Sequence, residues 1–266
     1  GLKPKFIDVN INNYCLDENL LKKDKQTKAI MNIHILGNSP NMDKLTNFAK
    51  SNNMFLIEDT CEALGSKFKS KHLGTFGDFG TYSFYYSHQI TSGEGGMIVC
   101  NTKEDYEIIY SLRSHGWDRG LNKSSKKNQF NFINSGFNLR PTDINAAIGY
   151  SQFKKLNSFI KIRQQNRDKI ISSLKISKKW KNQFNFLEPI KNLEPSWFGF
   201  PIILRKDLVS KKTEFLKFLN RKKIATRPII SGNFLNQPSV KLYKLNKNKL
   251  SFKGSQDVEE RGFFIG

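Results

Sequence analysis

Three short stretches of this 266-residue chain hold the side chains best suited to chemistry. Glu58-Asp59-Thr60-Cys61-Glu62 sets three carboxylates around a thiol. Ser83-Phe84-Tyr85-Tyr86-Ser87-His88 brings two serine hydroxyls and an imidazole into one run. Gly93-Glu94-Gly95-Gly96 follows. Paired carboxylates hold or orient protons and cations, and an imidazole moves protons near neutral pH because its ordinary pKa is ~6.5. Each stretch also has a plain structural use. An aspartate after a strand caps the next helix, a single histidine more often packs than catalyses, and a tight turn wants glycine whatever it binds. No phosphate-binding Walker loop, zinc-ligand spacing or G-x-S-x-G elbow occurs. Residue types and spacing alone therefore reach an α/β protein with one acidic and one histidine-bearing strand end.

The elements that must position these groups follow from hydrophobic spacing. Apolar runs predict strands at residues 6–9, 29–33, 54–57, 81–86 and 97–100. Helical spacing covers 42–51 and 105–113, and Asp17 is placed to cap a short helix reaching residue 21. Pro141 suits the first turn of a helical pattern that runs on to about residue 174. Beyond a polar segment at 175–183 come a strand (197–204), a helix (211–222), a strand near 225–228 and an apolar strand-like end at 263–266. This β-α-β rhythm predicts a largely parallel sheet covered on both faces, with a domain boundary giving 1–175 and 176–266. Reactive groups in such sheets gather beyond the carboxyl ends of strands, where Asp59 and Ser83 fall. Residues 116–131, rich in Lys and Asn, read as a long loop of the functional kind.

Composition narrows the class. Lys and Arg total 44 against 23 Asp and Glu, a formal net charge of +21. Only nine of the 44 are Arg. Lysines spread over helix faces read as a basic surface suited to phosphate-bearing small molecules, not as a nucleic-acid groove reader. No apolar run reaches the ~18 residues of a membrane span. The three cysteines, Cys15, Cys61 and Cys100, are too scattered for a disulfide framework or a metal site, which fits a reducing cytoplasm.

Residues 57–65 resemble the aspartate motif of the DegT-type sugar aminotransferases. These enzymes depend on pyridoxal phosphate (PLP) and have the aspartate-aminotransferase fold. The resemblance continues through Gly74-Thr75-Phe76-Gly77-Asp78, Ser83-Phe84-Tyr85, Gly93-Glu94-Gly95-Gly96-Met97, His115-Gly116-Trp117, Gly136-Phe137-Asn138-Leu139-Arg140-Pro141 and Ala146-Ala147-Ile148-Gly149. It covers the whole chain but only the later part of a family member, so the sequence reads as starting and stopping within a longer protein. The family's early phosphate loop and ring-stacking aromatic are not visible. The resemblance implies a large cofactor-binding domain over 1–175 and a smaller α/β domain over 176–266. It also implies that Asp59 pairs with the pyridinium nitrogen, keeping the ring a strong electron sink. Glu62 lies beside the ring, where aminotransferases usually carry Gln, and Ser83 binds the cofactor phosphate. Asn138 reaches the cofactor phosphate of a second subunit, making a homodimer with shared sites.

Position 88 departs from the aminotransferase pattern. Those enzymes carry a lysine there that tethers PLP covalently, which an imidazole cannot do. His88, Glu62, Ser87-His88-Gln89-Ile90-Thr91 and Ser196-Trp197-Phe198-Gly199-Phe200 resemble instead the sugar-nucleotide 3-dehydratase branch of the family, as does the run from Arg227 to Leu235. That branch implies pyridoxamine phosphate (PMP) as the working cofactor and a nucleotide-linked 4-keto-6-deoxyhexose as substrate. His88 then removes the cofactor's C4′ proton and protonates the departing C3 hydroxyl, and glutamate restores PMP. The deoxysugar product belongs to surface polysaccharide such as lipopolysaccharide. Ser87, His115 and Arg119 are the substrate-contact candidates. A related dehydratase group carries an iron–sulfur cluster on clustered cysteines; none follow Trp117, so no cluster is expected. The alternatives are a sugar-nucleotide aminotransferase and an inactive family member, the latter disfavoured because Asp59, Ser83 and Glu62 are all kept.

Overall fold

A computed structural model describes residues 2–121, 130–246 and 251–266. Half of the loop expected at 116–131 (residues 122–129) lies outside the described residues. Strand β1 (Ala29–Ile33) alternates cleanly, with Ile30 and Asn32 buried and Met31 and Ile33 exposed. Asn41 then caps α1 (Met42–Ser51) by accepting from the Lys44 N–H, and the helix buries Met42, Leu45 and Ala49 on one face. That face packs on Ile30 of β1 and Leu56 of β2 (Phe55–Asp59). Three two-residue strands make a small side sheet: β3 (Lys67–Phe68) lies between β4 (Lys71–His72) and β8 (Leu193–Glu194). β5 (Phe79–Ser83) runs parallel to β2, and β6 (Gly96–Cys100) returns antiparallel beside it. The main sheet therefore has the order β1-β2-β5-β6, with three parallel strands ending at one edge.

Helices α2 (Lys103–Arg113), α3 (Asp143–Phe153) and α4 (Leu156–Lys175) lead away from it. A second antiparallel sheet, β10-β9-β7, is formed by β7 (Phe184–Phe186), β9 (Phe200–Leu204) and β10 (Gly262–Ile265). β9 is buried along its whole length. Phe215, Leu216 and Leu219 of α5 (Lys212–Arg221) pack on this sheet. A short α6 (Pro238–Leu242) and α7 (Lys253–Arg261) complete the chain. No helix among the described residues is long and apolar enough to cross a membrane.

Four expectations are corrected. Residues 6–9 do not form a strand, because Val9 finds only an isolated bridge to Leu16. Asp8 instead accepts from the N–H groups of Gly254 and Ser255 at the start of α7. Residues 225–228 likewise make one bridge, Arg227 to Phe264. Pro141 does not open a helix; Thr142 caps α3 by accepting from the Asn145 N–H. The main sheet is covered on one face only, since Met31 (59%), Phe55 (57%) and Ile98 (52%) on the other are open to solvent. Period-2 alternation puts Asp59, Thr81 and Ser83 on that open face.

Candidate active site

The carboxyl ends of β1, β2 and β5 lie side by side, so their next residues converge. At the end of β2 two carboxylates point opposite ways. Glu58 turns into the core, fully buried, and accepts from His34 Nε2 (2.9 Å) and the N–H groups of Gly74 (2.9 Å), Phe76 (2.6 Å) and Gly77 (2.7 Å). Burial alone would raise its pKa, but these donors hold it below the usual carboxylate range. Asp59 turns to the open face and accepts from the Cys61 N–H (3.1 Å). Burial, with Asp59 alongside, pushes the Cys61 thiol up to about 12, so it is protonated and no nucleophile.

Glu62 accepts from the backbone N–H of Leu36 (2.9 Å). Burial, and then the charge of Asp59, outweigh that bond and lift its pKa from 4.5 to about 7. The folded chain thus holds a proton that the unfolded chain releases between those values. The native state binds more protons over that window, so stability falls as pH rises through it. A Glu62→Gln variant still accepts from Leu36 and carries no charge. It is expected to match the parent at pH 4 and to exceed it by about 3 kcal/mol at pH 8. Urea unfolding at the two pH values checks this, and an equal difference at both refutes it.

His88 follows β5, where the chain leaves the sheet one turn earlier than the apolar run suggested. Ser83 Oγ accepts from the Tyr85 N–H (3.2 Å) and the Tyr85 carbonyl accepts from the His88 N–H (3.0 Å). These bonds bend 84–88 into a turn. The His88 ring is half-buried, edge-on to Phe198 (5.1 Å between centroids) and to Tyr85 (6.0 Å). Its Nδ1 is buried with no hydrogen-bond partner among the described residues. Burial lowers its pKa below the ordinary 6.5, and the nearby charge of Asp59 only partly restores it. The imidazole is therefore neutral at pH 7, with a lone pair to accept a proton. Gln89, fully buried, donates through Nε2 to the Glu62 carbonyl and to Ser196 Oγ, tying the two strand ends together.

Asp59, Glu62 and His88 thus come together, with Ser83 and Ser87 on the same strand end. His115, Arg119 and Asn138 do not join them. All three are exposed beyond α2: Ser114 bridges Asn138, and the Arg119 guanidinium lies over the Trp117 ring (5.1 Å). Residue types and spacing do not single out three residues around His88. Phe198 and Gln89 lie within runs of the family pattern, and Arg163 of α4 is marked only as a cation four residues after Phe159 on one helix face. Among the described residues no three His, Cys, Asp or Glu side chains gather to hold a metal ion.

The chain belongs to the DegT/DnrJ/EryC1/StrS aminotransferase family, matching over residues 1–266. Within it, the chain is 35% identical over 279 residues to GDP-4-keto-6-deoxy-D-mannose 3-dehydratase of Escherichia coli O55:H7, covering all of this chain and 70% of that enzyme. It is 36% identical over 259 residues to the lipopolysaccharide biosynthesis protein RfbH of Salmonella typhimurium, covering 90% of this chain and 58% of that protein. Among solved structures, a histidine-to-asparagine variant of GDP-4-keto-6-deoxymannose 3-dehydratase with bound GDP-perosamine superposes with a TM-score of 0.89. That pair is 34% identical over all of this chain and 70% of the other. The same enzyme with a trapped PLP–glutamate geminal diamine gives 0.86 at 32% identity, over 98% of this chain and 69% of that one. The fold is that of the PLP-dependent sugar aminotransferases.

Proposed function

We infer that the chain is a PMP-dependent sugar-nucleotide 3-dehydratase, removing the C3 hydroxyl of a nucleotide-linked 4-keto-6-deoxyhexose. The observation that carries this reading is His88. A neutral imidazole with a buried, unpartnered Nδ1 stands where the aminotransferases of the family carry their tethering lysine. The 3-dehydratase relatives named above support it.

The side chains fit the cofactor. Asp59 stands on the open face of the sheet with a carboxylate oxygen for the protonated ring nitrogen. Ser83 Oγ accepts from Tyr85 and keeps its own proton to give a phosphate oxygen. When bound, PMP supplies a primary amine and a ring that accepts an electron pair. His88 supplies the proton transfer. Its neutral ring takes one proton, and the resulting imidazolium gives it to the departing oxygen at C3. Asp59 favours that imidazolium electrostatically, while Phe198 shields one edge of the ring from water. Ser87, His115 and Arg119 are the proposed substrate contacts, and glutamate the proposed amino donor.

Asn138 belongs in this reading to the site of a second copy. It is exposed and separate from Asp59, and α3 beside it buries none of its residues while Ile144 is 75% exposed. A homodimer with shared sites accounts for both. The three cysteines are all free, in keeping with a cytoplasmic location.

The test is incubation with PMP, glutamate and a GDP-linked or other 4-keto-6-deoxy sugar nucleotide. Mass spectrometry should find a 3-deoxy sugar nucleotide one oxygen atom lighter than the substrate, with glutamate oxidised to its 2-oxo acid and ammonia released. A 4-amino sugar with no dehydration instead assigns the chain to the aminotransferases.

A further inference from the structure

Four stretches distant in sequence meet at the His88 turn: residues 36–37 after β1, 62–66 after β2, 88–89 after β5 and 196–198 on the approach to β9. Three neutral side chains join them. Ser66 and Ser196 are fully buried, and so is Gln89. Gln89 Nε2 donates to the Glu62 carbonyl and to Ser196 Oγ (3.3 Å). The Ser66 and Ser196 hydroxyls lie 3.0 Å apart. Ser66 Oγ donates to the Gly37 carbonyl (2.8 Å) and accepts from the Ser196 N–H (2.8 Å). The direction of this chain is forced, because an amide NH2 only donates and a carbonyl only accepts. Each hydroxyl therefore passes its one proton from the Gln89 end toward Gly37. Reversing it would set the Ser196 proton against the Gln89 amide and leave the Gly37 carbonyl without its donor.

The backbone on either side is gripped as well. The Leu36 N–H donates to the Glu62 carboxylate (2.9 Å), and the Leu36 carbonyl accepts from the Phe198 N–H (3.2 Å). Leu36 (φ 51°) and Trp197 (φ 50°) are both left-handed, although neither is glycine. A Cβ on Gly37, between them, would come within 2.9 Å of the Trp197 nitrogen. Left-handed backbone at a bulky residue is strained and persists only where the surrounding bonds over-determine it. Here those bonds place the Phe198 ring edge-on to His88 and the Leu36 N–H on Glu62.

We propose that Gln89, Ser66 and Ser196 are positioning residues for the imidazole: their proton chain fixes the His88 turn and Phe198 against one another and sets both relative to Glu62. That the imidazole reacts rests on the dehydratase reading; that this clasp holds it does not. The charged and titratable groups around His88 are Asp59 of β2, Arg163 of α4, and Tyr85 and Tyr86 of its own turn. None of them belongs to the clasp, and no clasp side chain carries a charge. A change in the His88 titration on opening the clasp therefore reports the ring's position and burial, not the loss of a charged neighbour.

The experiment is an NMR titration of the intact chain with labelled histidine, His88 being assigned by the signal missing from His88→Asn. Gln89→Met keeps the side-chain length and removes both donors. Ser196→Ala cuts the chain at its middle. Either change lets water reach the ring, so the His88 midpoint should rise by about half a pH unit toward the ordinary 6.5. Ser111→Ala removes an equally buried hydroxyl on α2, outside the clasp, and should leave that midpoint in place even where it lowers Tm. In a parent that dehydrates, kcat of the clasp variants should fall about tenfold with KM little changed. If Gln89→Met does not fold, Ser196→Ala decides. A parental midpoint in the folded clasp variants overturns the proposal, as does an equal rise in Ser111→Ala or an unchanged kcat. The titration needs no turnover, so a failed dehydration assay leaves its outcome readable.

Discussion

Replacing His88 with asparagine should abolish dehydration while leaving the fold and cofactor binding in place. General acid–base catalysis by one positioned side chain contributes typically 10²–10⁴-fold. An amide has no basic nitrogen, so turnover should drop by at least 10²-fold. Little else changes: the side chain is half-buried, its ring makes two edge contacts, and Nδ1 has no partner among the described residues to orphan. Thermal unfolding and PMP affinity should therefore stay near the parent's, and a His→Asn variant of the dehydratase relative holds GDP-perosamine in its crystal structure. The parent's pH profile adds a second readout. Burial, only partly opposed by Asp59, depresses the pKa of His88, so the limb on which activity falls with acid should lie below that of an ordinary imidazole at 6.5. The asparagine variant should have no such limb. Parental turnover in His88→Asn would remove the imidazole from the reaction.

Much of this site was legible in the sequence because its members sit at strand ends whose patterns are strong. β1 and α1 fall where alternation and helical spacing put them, and the 54–57 run ends β2 at the acidic cluster. Asp59, Glu62 and His88 converge because β2 and β5 are parallel neighbours, which the β-α-β rhythm implied. What was not legible depends on contacts distant in sequence. Residues 6–9 and 225–228 have strand-like composition, yet a strand exists only where a partner offers a ladder, and each finds a single bridge. The open sheet face was invisible for the same reason, since alternation marks which residues share a face but not what covers it. Arg163 reads as one more surface cation until α4 is laid against the turn after β5. The raised pKa of Glu62 likewise needs the burial and the nearness of Asp59 that only the fold supplies.

Glu58, beside Asp59 in sequence but facing the core, carries the other large expected effect. Its four donors come from His34 and from the 74–77 loop, so one carboxylate joins the end of β1 to the loop that enters β5. Both partners of the His34–Glu58 pair are fully buried. Glu58→Ala leaves the His34 ring nitrogen and three N–H groups in the interior without their acceptor, which costs roughly 3–5 kcal/mol given ~1–3 kcal/mol per stranded donor before relaxation. For a chain of this size that lowers Tm by about 6–20 °C. The pH dependence has a definite sign. A carboxyl with a depressed folded pKa stabilises above its unfolded value near 4.5, and that stability is lost as pH falls through the folded pKa. The gap between parent and variant should thus be widest at neutral pH and narrow in acid, as for Glu62→Gln, but here the variant is the less stable of the two and there the more stable. Because Asp59 is the next residue on β2, loosening this anchor should also weaken PMP binding, although Glu58 faces away from the open side of the sheet. Calorimetric unfolding from pH 3 to 8, with PMP titration alongside, measures both effects. A variant within 1 kcal/mol of the parent at pH 7 would mean that the buried pair does not hold the strand end.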